Sequence, residues 1–324
     1  MKCDSNLERV LDAGHFAVTA ELGPPMSGDA SVVRQKTAIL RDHADAVNIT
    51  DAQTAVVRLS SIASAAIVRE EGVEPVMQMT TRDRNRIAIQ SDVLGAVALR
   101  IRNCLCIAGD HQSFGAAGKL KGHPGAKNVY DIDSIQLLAI LKRMRDEGLQ
   151  ESGDPLEEPA PLFLGAAWTP MGDPVDFRVV RLAKKVAAGA DFIQTQGIYD
   201  VDQFAETMKR VRERGLHEKT AILAGIIVPK SGGMLRYMHS SVAGVSVPDS
   251  LIRRFPKTKK GASKEEKKEA RRKSQETGKQ IAVELIQQVR QIEGVRGVHI
   301  QAIEWEKAVP HIVEGAGLLP RPQA

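Results

Sequence analysis

Apolar positions along the chain gather into eight short runs, at residues 16–22, 44–50, 75–80, 104–108, 162–167, 192–195, 221–228 and 298–303. Runs of this length with β-branched and aromatic content, such as Phe16-Ala17-Val18-Thr19-Ala20, read as strands buried on both faces. Most are separated by segments whose apolar residues recur at three- and four-residue spacing with charges opposite: 32–43, 61–71, 87–99, 134–147, 177–188, 201–214 and 280–292. Strands alternating with helices predict a parallel sheet. Eight such units within 324 residues predict a closed (β/α)8 TIM barrel, an α/β fold in a single domain, rather than a doubly wound sheet. Ahead of the first strand, Ser5-Asn6-Leu7-Glu8 has capping-box spacing and Gly14 is placed to stop the short helix that follows.

Two segments interrupt the rhythm. Residues 148–158 are acidic and contain Gly and Pro, as a surface excursion would. Residues 253–280 are rich in Lys and Arg and carry most of the net charge of +5. Their Lys/Glu spacing predicts a solvated helix, with a docking surface for a partner or an anionic cofactor as the alternative. Aromatic residues are almost absent there, which argues against nucleic-acid stacking. A hydrophobic share of 43% provides a real core. No apolar run approaches the roughly 20 residues needed to cross a bilayer, and Met1-Lys2-Cys3-Asp4-Ser5 lacks the apolar centre of a signal peptide, so a soluble cytoplasmic protein is expected. Cys3, Cys104 and Cys106 cannot build a disulfide framework and are expected as reduced, mostly buried thiols.

A barrel of this kind places its chemistry at the carboxyl ends of the strands. Those ends are polar here. The first closes on Ala20-Glu21-Leu22-Gly23-Pro24-Pro25, where two prolines stop the strand and stiffen the loop after a carboxylate. The next three end in Asn48-Ile49-Thr50-Asp51, in Gln78-Met79-Thr80-Thr81-Arg82-Asp83-Arg84-Asn85, and in Gly109-Asp110-His111. Ala166-Ala167-Trp168-Thr169-Pro170, Gln194-Thr195-Gln196 and the pair Gln301 and Glu304 supply the fifth, sixth and eighth. Glu21 and Asp110 suit different tasks, one partly desolvated and able to give a proton, the other ionised and steering charge. The competing reading of Glu21 is a carboxylate that pairs with a lysine or caps a helix. Asp133 and Asp200 precede helices at capping spacing and are assigned to structure, while Asp51 fits either role. Gly115-Ala116-Ala117-Gly118-Lys119-Leu120 has the wrong glycine spacing for a phosphate loop. Scattered histidines and the lack of His-Glu-x-x-His or paired Cys-x-x-Cys make a protein-built metal site unexpected.

With those residues in view, the chain resembles the methylenetetrahydrofolate reductase family from about Phe16 to Pro320. The marks are Ala20 to Pro25, Asn48 to Asp51, Thr81 to Asn85, Gly109-Asp110, and Ala188-Gly189-Ala190-Asp191-Phe192-Ile193-Gln194-Thr195-Gln196. The resemblance implies a flavoprotein (FAD, or FMN) of one-carbon metabolism that passes a hydride to 5,10-methylenetetrahydrofolate and yields 5-methyltetrahydrofolate. It further implies that Glu21 is the general acid, that Asp110 lies between flavin and pterin, and that Gln196 binds folate. By the same resemblance Thr50, Gln78, Gly109, Tyr130 and Trp168 line the flavin, and Arg181, Lys184 and Lys185 meet its ribityl chain and phosphates. Departures occur at Gln78, where a histidine is common, and at Ala108, where some members have arginine. Others are Met234 and Met238, which replace glutamine and phenylalanine, and Glu304-Trp305, which replaces Asn-Arg. The donor implied is NADH or a protein, with an electron-transfer partner subunit and a homo- or hetero-oligomer as expectations. The alternatives are a folate- or corrinoid-binding methyl-transfer barrel and a noncatalytic subunit of a one-carbon complex.

Overall fold

The structure is a computed structural model that describes residues 1–113, 122–257, 261 and 263–323. The 115–120 stretch and part of the basic segment lie outside the described residues. Eight parallel strands close on themselves in sequence order: β1 (Ala17–Leu22), β2 (Ala46–Ile49), β3 (Pro75–Thr80), β4 (Asn103–Ile107), β5 (Phe163–Trp168), β6 (Phe192–Gly197), β7 (Ala221–Ile227) and β8 (Val295–Gln301). Closure is made by β8 on β1, with Gly297 opposite Ala17 and His299 opposite Thr19. The barrel expected from the alternating pattern is therefore the fold.

Helices α1 (Asn6–Asp12), α2 (Ala30–Leu40), α3 (Ser61–Glu70), α4 (Arg86–Ala98), α5 (Ser134–Asp146), α6 (Val175–Ala187), α7 (Val201–Glu213), α8 (Gly232–Ser241), α9 (Asp249–Arg253), α10 (Lys264–Val289) and α11 (Val309–Gly315) accompany the strands. Ser5 caps α1 by accepting from Glu8 N, Asp133 closes a capping box with Gln136 on α5, and Asp200 accepts from Gln203 N on α7. These caps match the expectation. Helix α8 was not anticipated, because its ten residues include Gly232, Gly233 and three serines or histidines that blur its apolar stripe. The largest difference lies near the end. The basic segment from Lys264 onward runs without a break into the helix expected at 280–292, forming one helix of 26 residues, Lys264–Val289, capped by Ser263 and Glu266. Its first half is exposed and only from Gly278 onward does it bury residues, including Ile281, Ala282, Leu285, Ile286 and Val289, so the apolar period begins in mid-helix.

Alternation along each strand divides the core in two. Val18, Ala20 and Leu22 of β1 join the large cluster between sheet and helices. Ala17 joins the lumen cluster, with Ala46, Val76, Leu105, Phe163, Phe192 and Leu223. Leu7, Val10 and Leu11 of α1 belong to this second cluster, so the lead-in helix plugs the amino-terminal end of the barrel. Phe163 and Phe192 stack at 5.3 Å between ring centroids, and Gly165 leaves room for them, since a Cβ there would stand 2.2 Å from the Phe192 ring. With one end plugged, the lumen opens only at the carboxyl ends. No helix among the described residues is long and apolar enough to cross a membrane.

Candidate functional site

Above the apolar plug, the lumen carries a polar layer whose members satisfy one another. Gln194 on β6 donates to Asn48 Oδ1 at 3.1 Å and to Thr19 Oγ1 at 3.2 Å, and Asn48 donates back to Gln194 Oε1 at 3.0 Å. Thr19 Oγ1 lies 2.9 Å from His299 Nδ1. The hydroxyl accepts from Gln194 and has both Nδ1 and, at 3.4 Å, Val298 O within reach of its own proton. Burial pushes the His299 imidazole down to about 3, so it stays neutral through the physiological range.

One step further along the strands is the mouth, a cavity of about 520 Å³ bordered by side chains from every strand-end named above except the seventh. Glu21, Thr50, Gln78, Gly109, Asp110, Trp168 and Gln196 all border it, so seven of the residues singled out in the sequence converge. A larger cavity, about 720 Å³, opens at the opposite end around Arg9, Arg41, Arg69 and Arg321. Its cations are engaged, Arg321 with Asp45 and Arg41 with Glu71, and it lies far from the strand ends where barrels of this class do chemistry.

Glu21 is 7% exposed and, among the described residues, accepts no hydrogen bond and forms no ion pair. Burial, reinforced by the Glu306 carboxylate and opposed by Lys36 and Arg58, lifts its carboxyl to about 7. The sequence alternative of a structural pair or a helix cap thus has no counterpart among the described contacts. Asp110 is exposed on the β4 loop. Its carboxylate accepts from Thr54 N at 3.1 Å, and its carbonyl accepts from Arg82 at 2.9 Å. Arg82 also donates to Ala52 O and pairs with Asp83, so one buried guanidinium ties the loops after β2, β3 and β4 together. The adjacent Gly109 has φ of +87°, and a Cβ there would press on Thr80 and Arg82 at 3.1–3.2 Å. Glycine is what lets this loop lie close over β3.

Asp51 proves to be structural. It accepts from Thr80 N and Oγ1 at 3.0 and 2.9 Å and pairs with Arg84 at 2.7 Å, fixing the β2 and β3 loops to each other. Thr50 Oγ1 is buried on the cavity wall without a partner. Tyr130 lies beside the mouth, its hydroxyl donating to Gly109 O at 3.2 Å. The Trp168 indole turns into the helix-facing core and donates to Arg178 O, leaving the residue at the rim rather than its ring in the opening. Lys185 is buried and donates to Ala167 O at 2.6 Å, and burial brings its ammonium down to about 8. Arg181 and Lys184 lie on α6 and do not border the cavity. Met234 and Met238 do not border it either, and Met238 packs in the core.

Sequence reasoning did not single out His299, Lys36, Arg58 or Glu306. His299 was recoverable from its position two residues before Gln301 on one face of β8. The other three come from a helix, a loop and a turn that only the closed barrel brings beside β1.

The methylenetetrahydrofolate reductase family model matches residues 6–317. Methylenetetrahydrofolate reductase 1 of Schizosaccharomyces pombe is 31% identical over 160 residues, 48% of this chain and 24% of that protein. Methylenetetrahydrofolate reductase 2 of the same yeast is 30% identical over 148 residues, 43% of this chain and 21% of that protein. The chain thus spans about a quarter of the length of these curated relatives. Among solved structures, an uncharacterized Clostridium thermocellum protein that binds two copies of 5-methyl-5,6,7,8-tetrahydrofolic acid superposes with a TM-score of 0.60 at 14% identity, covering 97% of this chain and all of that one. That likeness bears on the fold alone, whereas the family model covers nearly the whole sequence: the chain belongs to the methylenetetrahydrofolate reductase family.

Proposed function

We propose that this protein is a flavin-dependent reductase that converts 5,10-methylenetetrahydrofolate to 5-methyltetrahydrofolate, with Glu21 as the proton donor. The observation that carries this reading is a buried, unpaired carboxyl at the mouth whose affinity for a proton is raised to about 7. A group poised there is protonated often enough to donate and acidic enough to let the proton go. Transfer from Glu21 to the bridging amine nitrogen of the substrate breaks the carbon–nitrogen bond of the five-membered ring and leaves a cationic methylene carbon. As Glu21 becomes anionic, Lys36 and Arg58 are the cations that meet the new charge. Asp110, exposed across the mouth, offers a carboxylate to the cationic carbon. Gln196 borders the same cavity as a polar contact for the pterin.

The residues present fit a flavin. Thr50 Oγ1 is a buried hydroxyl without a partner, Gly109 brings the β4 backbone close to β3, and Tyr130 lies beside the opening with its hydroxyl on Gly109 O. Thr50, Gln78, Gly109, Asp110 and Tyr130 would hold FAD, or FMN, at the mouth, with the Trp168 backbone at its rim, whereas Arg181, Lys184 and Lys185, assigned to its ribityl chain and phosphates by the resemblance, do not border the cavity. A bound flavin supplies the hydride. The electrons come from NADH or a protein donor; Met238, packed in the core, leaves the nicotinamide stacking of familiar members unreproduced, and Glu304-Trp305 does the same for a folate contact.

The test is optical and kinetic. Purified protein, reconstituted with FAD or FMN, is expected to bleach with dithionite and regain its absorbance on addition of methylenetetrahydrofolate. Glu21→Gln should keep the bleaching and slow the recovery by roughly 10²-fold or more. A protein that takes up neither flavin, or a Glu21→Gln variant that reoxidises at the normal rate, refutes the assignment.

A further inference from the structure

The groups that surround Glu21 come from three different elements. Lys36 on α2 pairs with Glu306 at 2.6 Å, and the same ammonium donates to Gly23 O at 2.9 Å, two residues beyond Glu21. Glu306 is buried in the turn between β8 and α11, and the Lys36 side chain is mostly buried. Arg58, in the loop after β2, donates to Pro24 O at 3.0 Å and reaches the exposed Glu304 at 3.3 Å. Three charges therefore face Glu21: one anion and two cations. The other titratable groups on the cavity wall are Asp51 and Arg82, already paired with Arg84 and Asp83, Asp110 on the β4 loop, and neutral His299 below.

A buried ion pair is a costly way to hold two loops together, and an apolar pair of similar volume would serve stability as well or better. This one is sited where its two ends act on Glu21 with opposite sign. The anion disfavours ionisation of Glu21 and the cation favours it, so the pair as a whole is nearly neutral toward it while either end alone is not. We propose that Lys36 and Glu306 are positioning residues that govern the charge state of Glu21, acting through the buried ion pair that straps α2 to the turn after β8. Burial disfavours the charged form of Glu21, Glu306 adds to that, and Lys36 offsets it and remains at hand to face the carboxylate once the proton has left. This rests on the reading of Glu21 as the acid, yet the charge state itself is measurable without turnover.

The measurement is a carboxyl titration by 13C NMR on the flavin-loaded protein with labelled glutamate, the Glu21 signal being identified by its loss in Glu21→Gln. Glu306→Gln should lower the Glu21 midpoint and Lys36→Met should raise it, each by about half a pH unit or more. The double variant Lys36→Met/Glu306→Gln should return close to wild type, and Lys36→Arg, which keeps the charge, should leave the midpoint in place. If Lys36→Met does not fold, Glu306→Gln and Lys36→Arg decide the question. A strap that merely stabilises the loops would shift both single variants in the same direction, or neither, and either result overturns the proposal. The alkaline limb of kcat/KM should follow the NMR midpoints across the series. Midpoints that move as stated while the limb stays fixed would uphold the control of Glu21 by the pair and discard Glu21 as the acid.

Discussion

Replacing Glu21 by Gln should make the protein more stable at alkaline pH while disabling it. In the folded chain the carboxyl is held at about 7, against 4.5 for an unperturbed glutamate. Between those values the folded state binds a proton that the unfolded state has released, so unfolding stability falls as pH rises through this window. The loss is complete above the folded value. The difference of about 2.5 units corresponds to about 3 kcal/mol of order-of-magnitude penalty for the ionised form, a conversion suited to a group this deeply buried. Glutamine occupies the same volume and stays neutral at every pH. The variant's stability should therefore lack this slope, and the gap between the two proteins should open by about 3 kcal/mol from pH 4.5 to pH 8.5.

Urea unfolding of both proteins across that range, at equal flavin loading because a bound ligand stabilises by mass action, reads the difference directly. Taken as a melting temperature, the gap is about 4 °C for a chain of this length. Other titrating groups contribute equally to both curves and cancel. Parallel curves would show that Glu21 is solvated or paired in solution, and the argument for a poised acid would fall with them. The expected pairing of gained stability with lost folate turnover is the usual sign of a residue kept at a site for what it does rather than for what it holds together.

Three further outcomes follow from the geometry. Gly109→Ala forces a side chain into a left-handed backbone at φ of +87° and against Thr80 and Arg82, so it should cost about 1–2 kcal/mol and weaken flavin retention, read by thermal melting and by flavin titration. Gly225→Ala would place a Cβ 2.2 Å from Thr195 O at the β6–β7 seam, and should abolish soluble, folded protein as judged by circular dichroism, whereas Gly28→Ala, with open space around it, should not. His299, held at about 3 by burial, should show no imidazole titration between pH 5 and 9 by NMR, and a midpoint in that interval would mean that the lumen layer is wet.

The barrel was legible because most strands are buried on both faces and so read as short, mainly apolar runs, a pattern that needs no partner to be recognised. Helix α10 was divided because its first half, Lys264 to Thr277, has no apolar stripe to mark it as the start of the helix that packs from Ile281 onward. Asp133 and Asp200 were assignable to caps since a cap and its amide lie three residues apart. Asp51 could not be settled that way, its partners Thr80 and Arg84 being 29 and 33 residues distant. The same distance problem hid the surroundings of Glu21. Its strand, the prolines after it and its sign were visible, but Lys36 and Arg58 reach it through the packing of α2 and of the loop after β2 on the Gly23-Pro24 turn, and Glu306 through closure of β8 on β1.

What makes Glu21 unusual is where its neighbours' hydrogen bonds go as much as its own burial. A carboxyl at the end of a barrel strand ordinarily finds a donor among the polar residues of the lumen. Here the layer beneath is closed on itself: both Gln194 amide protons and one from Asn48 are spent within the Asn48–Gln194–Thr19 group, and the Thr19 hydroxyl lies against His299 Nδ1 and Val298 O. Lys36 is turned to Glu306 and Gly23, and Arg58 to Pro24 and Glu304. The Lys36 ammonium and the terminal nitrogens of Arg58 thus have other acceptors, while Arg58 Nε and Thr50 Oγ1 are buried without a partner and do not reach the Glu21 carboxyl. Desolvation then acts without the hydrogen bonds that would normally offset it, and the carboxyl rises into the neutral range. The proton affinity of Glu21 thus depends on residues that make no hydrogen bond to it, and the polar layer that fills the barrel is part of what sets it.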